Sequence, residues 1–187
     1  MNSLVAEKKK FTQYQVLLWV GIGSILMAFA GLTSAYIVKK GQANWLDFDL
    51  PSVFWVSTVV ILVSSFTMQM AAKKHKEGQQ NQFKGFMTVT AILGISFLIL
   101  QLQGFAALEA NSIALTGPKS NSAGSFLLVI TGFHMLHLLA GVIALVIISI
   151  KAPKQGESVS LMSTYWHFVD LLWIYLFVFF LVVGSGQ

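Results

Sequence analysis

Cysteine and arginine are both absent from this 187-residue sequence, and only 10% of its residues are charged. Without cysteine there are no disulfides, no thiolate metal ligands and no cysteine nucleophile. There is no phosphate-cradling glycine loop, no pair of neighbouring carboxylates and no serine beside a histidine, so no local signature of phosphoryl or acyl transfer. A soluble domain carries about 25% charged residues. Here 56% of the residues are hydrophobic, more apolar surface than a water-soluble fold of this size could bury.

What is present is apolar sequence in long uncharged runs. A bilayer core of about 30 Å needs roughly 20 apolar residues in a helix. Five segments meet that length: 16–38, 53–72, 86–108, 125–150 and 164–184. The fold class expected is all-α, a polytopic membrane protein forming one membrane domain over 1–187 as a bundle of five transmembrane helices. The separators carry turn chemistry: Lys39-Lys40-Gly41, Lys73 to Gly78, Thr116-Gly117-Pro118 and Ala152-Pro153-Lys154. Lys8 to Lys10, the run from Val16 and Ala28-Phe29-Ala30 have the outline of a signal peptide. The run continues to Val38, which reads as a retained first helix.

All twelve basic residues are lysines, and the net charge is +5. They flank the apolar runs, which points to membrane topology and not to nucleic acid. Nine lie on one side of the expected bilayer (Lys8, Lys9, Lys10, Lys73, Lys74, Lys76, Lys84, Lys151, Lys154) and three on the other (Lys39, Lys40, Lys119). The positive-inside bias puts the N-terminus in the cytoplasm and the C-terminus outside a bacterial inner membrane. Trp45 and Trp55 bracket the outer entrance to the second span, as interfacial aromatics do.

Apolar side chains gain little by leaving lipid, so small residues that allow close approach matter for helix packing. Ser24, Ala28, Gly31 and Ala35 share one face of the first helix, and Gly132, Ala140, Gly141 and Ala144 form small patches on the fourth. Both are read as contacts within the chain, with a second subunit as the alternative.

The costly residues are His134 and His137 in the fourth span and His167 and Asp170 in the fifth. Asp170 is the only carboxylate inside any span. It costs roughly 2.5–3.5 kcal/mol at a helix centre, against roughly −4 to −8 from thirteen Leu, Ile, Phe or Val residues between Phe168 and Val183. The helix inserts, but Asp170 needs a protein environment. Three readings are open. A haem or metal site would use His134 and His137, with His167, yet two histidines one turn apart cannot take opposite faces of one haem, and a metal would have to take all its ligands from the fourth and fifth spans. A transmembrane proton path needs polar residues through the full thickness, and the third span adds only Gln101 and Gln103 before Glu109. The favoured reading is a buried polar network, Tyr165, Trp166, His167, Asp170 and Trp173 with the fourth-helix histidines, that fixes packing or meets a neighbouring subunit or lipid. A polar-lined transporter has less support, because only the last two spans are polar.

Two segments are more specific. Residues 132–141 read Gly-Phe-His-Met-Leu-His-Leu-Leu-Ala-Gly, and residues 165–173 read Tyr-Trp-His-Phe-Val-Asp-Leu-Leu-Trp. In this order on the last two spans they resemble cytochrome c oxidase subunit III. Weaker similarity runs through Leu100-Gln101 and the Ala-Gly-Leu-Thr-Ser-Ala-Tyr of residues 30–36. The resemblance implies a non-catalytic subunit of a proton-pumping haem-copper oxidase in aerobic electron transport. Such a subunit carries no haem or copper of its own; those sit in partner subunits I and II. It packs on subunit I, binds phospholipid, supports proton uptake and sometimes joins a larger respiratory supercomplex. The equivalent subunit of a quinol oxidase or nitric oxide reductase system is the alternative. The sequence matches a five-helix form lacking the first two helices of longer members. It also departs from the family at two buried glutamates, where Ile25 and Gly104 stand.

Overall fold

The computed structural model describes residues 2–41, 45, 50–110, 115, 121–151 and 156–184, and its side chains apart from those of 2–12, 156 and 157. Five helices account for it: α1 (Asn2–Lys40), α2 (Ser52–Lys76), α3 (Gln80–Ala110), α4 (Ser122–Lys151) and α5 (Gly156–Phe179), the last ending in a π-helical turn, Phe180–Gly184. Each contains a stretch long and apolar enough to cross a membrane. The expected spans all fall inside them. The helices run further than the apolar stretches: α1 continues back through the N-terminal lysines, and α5 starts at Gly156. Asp47, Asp49, Lys119, Lys154 and the separators Thr116 to Pro118 and Ala152 to Lys154 lie outside the described residues.

The buried face of α2 is Phe54, Ser57, Ile61, Ser64, Met68 and Ala71. On α3 the series Met87, Thr90, Gly94, Phe97, Gln101, Gly104 and Leu108 is buried. Both alternate steps of three and four residues, the 3.5-residue period that keeps one seam facing a neighbour in left-handed packing. The two helices pack antiparallel along their length. They are joined by a tight turn in which Gly78 has φ +74°. Gln79 N–H donates to Lys74 O at 3.0 Å and Gly78 N–H to His75 O at 3.1 Å, the two bonds of a Schellman cap. Lys74 bonds Glu77 at 2.9 Å beside this turn and holds its carboxyl below the usual carboxylate range.

Helices α2, α3, α4 and α5 close into a ring in which each touches its neighbours, and α1 leans on α4 and α5 from outside. The packing face of α1 differs from the sequence expectation. Ile22, Phe29, Thr33 and Tyr36 are buried, whereas Ser24, Ala28, Gly31 and Ala35 are all exposed. Bulk decides this: with α1 meeting the ring at its rim, Phe29 and Tyr36 reach the core and the small residues do not. On α4, Gly141 is packed and Ala144 half-buried, but Ala140 is exposed and a methyl group at Gly132 would meet nothing within 4 Å.

At Gly104 the space beside the backbone is already taken. A Cβ at this position would lie 2.7 Å from the Phe54 ring. Gly104→Ala should therefore destabilise the chain by about 1–3 kcal/mol through overpacking. Gly31→Ala, where a Cβ meets nothing within 4 Å, should leave stability unchanged or raise it slightly. Thermal unfolding of the two variants in detergent checks the contrast.

Candidate functional site

Of the residues singled out on α5, Trp166, Asp170 and Trp173 are buried inside the ring and Tyr165 and His167 are half-buried; α2 supplies most of their partners. The Trp166 indole N–H donates to Ser64 Oγ at 3.1 Å, and the Trp173 indole N–H to Thr58 Oγ1 at 3.0 Å. His167 Nδ1 shares a hydrogen bond of 2.7 Å with Ser65 Oγ. Because α2 and α5 run antiparallel, Thr58 and then Ser64 and Ser65 meet successive turns of α5. In hydrocarbon an unmade hydrogen bond has no water to fall back on, so such pairs select one helix register.

Trp166 is fully buried. A Cβ on Gly94 of α3 would lie 3.0 Å from its ring, and one on Gly141 of α4 would lie 3.4 Å away. One indole thus fills the space left by two glycines and bonds α2, touching all three other helices of the ring. Trp173 is likewise fully buried, 5.0 Å from Phe97 and 5.3 Å from His134 between ring centroids. Both tryptophans thus lie inside the ring. Tyr165 does reach outward across α4, donating to the His137 carbonyl at 3.0 Å.

The two histidines of α4 part company. His134 is fully buried between Phe97 and Trp173, and neither ring nitrogen has a hydrogen-bond partner. His137 turns toward α1, edge-on to Phe29, with Nδ1 against the Phe133 carbonyl at 2.7 Å. They do not face a common ligand. Among the described residues no three His, Asp or Glu side chains converge as a metal site would require.

Asp170 is only 2% exposed. Among the described residues neither carboxyl oxygen of Asp170 has a hydrogen-bond partner, and the hydroxyl of Ser65 is bonded to His167. Gln101 Nε2 donates to Ser57 Oγ at 3.0 Å, while Gln101 Oε1 and Thr131 Oγ1 are buried without partners. The expected single network is therefore two features. One is a set of hydrogen bonds from α5 to α2 hydroxyls. The other is a group of enclosed polar atoms on the inner faces of α3, α4 and α5, shielded from lipid by the chain itself. Sequence reasoning missed Ser57, Thr58, Ser64 and Ser65. Their seven-residue repeat, 57 to 64 and 58 to 65, was the available signal.

The model of the family described as cytochrome c oxidase subunit III matches residues 41–185, which contain all four helices of the ring. This chain belongs to that family. It is 32% identical to the probable cytochrome c oxidase subunit 3 of Mycobacterium tuberculosis (strain H37Rv) over 170 residues, 84% of this chain and 82% of the relative. It is 30% identical to cytochrome c oxidase subunit 3 of Corynebacterium diphtheriae over 179 residues, 85% of each chain. It is also 28% identical to the cytochrome bo(3) ubiquinol oxidase subunit 3 of Pseudomonas putida over 177 residues, 89% of this chain and 84% of the relative. Family membership makes it a non-catalytic subunit III of the haem-copper oxidase type, a multi-pass membrane protein within a multi-subunit complex.

With no cation among the described residues paired to it, Asp170 should be replaceable in the fold. Asp170→Asn keeps the shape and should cost less than about 1 kcal/mol, because no well-formed hydrogen bond of the carboxyl is lost. Trp173→Ala should cost roughly 3–5 kcal/mol through the cavity it opens. Unfolding of the variants in lipid nanodiscs separates the two; an equally large loss for Asp170→Asn would mean a partner that the geometry does not show.

Proposed function

We propose that this chain is the subunit III of an oxidase that passes electrons from cytochrome c to oxygen and pumps protons, packed beside subunits I and II. On this reading those subunits carry the haem and copper. The present chain binds phospholipid, shapes the protein surface through which protons are taken up, and maintains the complex during turnover. The observation that carries the reading is the family match across the whole four-helix ring. The ring's interior supports it: the conspicuous residues His134, Trp166, Asp170 and Trp173 are all enclosed by the chain's own helices. Their contribution to assembly is then indirect, by holding α5 in place, and not by touching subunit I.

A quinol donor is the second reading, favoured by the similarity to a ubiquinol oxidase subunit 3. The lysine distribution supports an N-terminus in the cytoplasm and a C-terminus outside, in the plasma membrane of a bacterium. Since the chain has no cysteine, single substitutions such as Lys76→Cys give clean topology probes, and labelling of that position from the outer side would reverse the orientation.

Affinity purification of the tagged chain from native membranes, followed by mass-spectrometric inventory and a visible spectrum, tests the assignment. The expected outcome is co-purification with a haem-copper subunit I and a copper-binding subunit II. A chain recovered without any haem-copper subunit would overturn it, and a complex whose subunit II lacks the copper site would move the donor to quinol.

A further inference from the structure

Three fully buried polar side chains stand apart from the bonds that tie α5 to α2: Gln101 on α3, and Thr131 and His134 on α4. Gln101 Oε1, Thr131 Oγ1 and both ring nitrogens of His134 have no hydrogen-bond partner among the described residues. Gln101 is anchored at its other end, where its amide nitrogen donates to Ser57 Oγ at 3.0 Å. Ser57 donates its own hydrogen to the Phe54 carbonyl at 2.9 Å, so toward Gln101 it can only accept. The amide is therefore fixed with its nitrogen toward α2 and its oxygen free.

The register of α3 against α4 brings these groups to one layer. A Cβ on Gly94 would lie 3.0 Å from Val142 Cγ2, and the Phe97 and His134 ring centroids are 5.9 Å apart. Contacts thus climb α3 as they descend α4, and the two helices are antiparallel. One turn on from Phe97 is Gln101, and one turn on from His134 in the same direction is Thr131, rises of about 6 and 4.5 Å. Trp173 borders the layer from α5, 5.3 Å from His134, and its N–H is already given to Thr58 Oγ1. Ser57 borders it from α2. The walls are the chain's own helices, and none of the bordering groups has a donor left for Gln101 Oε1.

The unmet needs are specific. Gln101 Oε1 requires a donor. A neutral imidazole carries one N–H and one lone pair, and the Thr131 hydroxyl can give or take. A metal ion is poorly matched, because among the described residues no three His, Asp or Glu side chains converge. An apolar occupant would leave every one of these bonds unmade, in a setting where hydrocarbon offers no replacement. Water offers two donors and two acceptor sites, and a buried water typically makes about three bonds to groups of this kind. We infer that Gln101, Thr131 and His134 form a binding site for an ordered water. It donates to Gln101 Oε1 and bridges that oxygen to Thr131 and to a ring nitrogen of His134. The water ties α3 to α4 at the level where Trp173 ties α5 to α2. The site is built from this chain alone, so it holds whichever electron donor and partner subunits the complex proves to have.

The test is X-ray radiolysis of the purified protein, with the subunits that accompany it, in nanodiscs. Hydroxyl radicals born from a bound water oxidise the side chains beside it, even where bulk water cannot reach. The unaltered chain is compared with Thr131→Val and with Gln101→Leu, and oxygen addition is mapped by mass spectrometry. Phe97 and Trp173 border the site and are fully buried. Met68 and Met87 are equally buried and more readily oxidised, so they report any general penetration of water. The expected result is labelling of Trp173 and Phe97 above that of Met68 and Met87, falling several-fold in Thr131→Val. The apparent melting temperature should fall in Thr131→Val, and this fall should vanish when Gln101→Leu is already present, because the water is then gone. Thr131→Val alters only the hydroxyl end of a side chain of nearly the same shape, so it decides the matter alone if Gln101→Leu fails to fold. Labelling of Trp173 and Phe97 no greater than that of the two methionines, or unchanged in Thr131→Val, would overturn the site. A higher melting temperature in Thr131→Val would also overturn it, by showing a dry and unbonded hydroxyl. Coupling between the two substitutions without any labelling would replace the water with a direct contact and overturn it equally.

Discussion

A single indole holds the ring of helices together. Trp166 is fully buried, sits against Gly94 of α3 and Gly141 of α4, and donates its N–H to Ser64 of α2. In water, burying an indole is favourable for its area alone. In a bilayer that drive is missing, because lipid is as apolar as the protein interior, and shape fit and hydrogen bonds decide which helices meet. The two glycines let the backbones of α3 and α4 close on the ring, and the serine fixes the register of α2 against α5. Ser65 with His167 and Thr58 with Trp173 repeat the device on either side. Aromatic contacts then continue from Trp173, edge-on to Phe97 and tilted against His134.

This arrangement explains how the membrane tolerates Asp170 and His134. Their burial was legible in the sequence from cost alone: a carboxylate on a helix of thirteen strongly apolar residues has to face protein. The enclosing surface was not legible. It is supplied by the same chain, because Trp166, Val169 and Trp173 on α5 turn inward with Asp170. The five spans were legible from length and hydropathy, and the family from the two motifs on α4 and α5.

Two other readings failed for definable reasons. The small residues Ser24, Ala28, Gly31 and Ala35 have the spacing of a packing face, but spacing does not reveal where a helix meets its bundle. With α1 at the rim, the longer Phe29 and Tyr36 make the contact and the small face points out. The hydroxyls of α2 were overlooked because serine and threonine are commonplace in membrane helices. Their seven-residue spacing distinguishes them, and it coincides with the buried series Phe54, Ser57, Ile61, Ser64, Met68 and Ala71. At Gly104, Phe54 occupies the space a side chain would need.

The central claim is that the bond between Trp166 and Ser64 couples α5 to the rest of the ring. A double-mutant cycle measures it most directly, using Trp166→Phe, Ser64→Ala and the two combined, with reversible unfolding in bicelles as the readout. The account predicts a coupling energy of about 0.6 kcal/mol, at most about 1.7, in the range of hydrogen bonds between membrane helices. Strict additivity of the two single changes would contradict it.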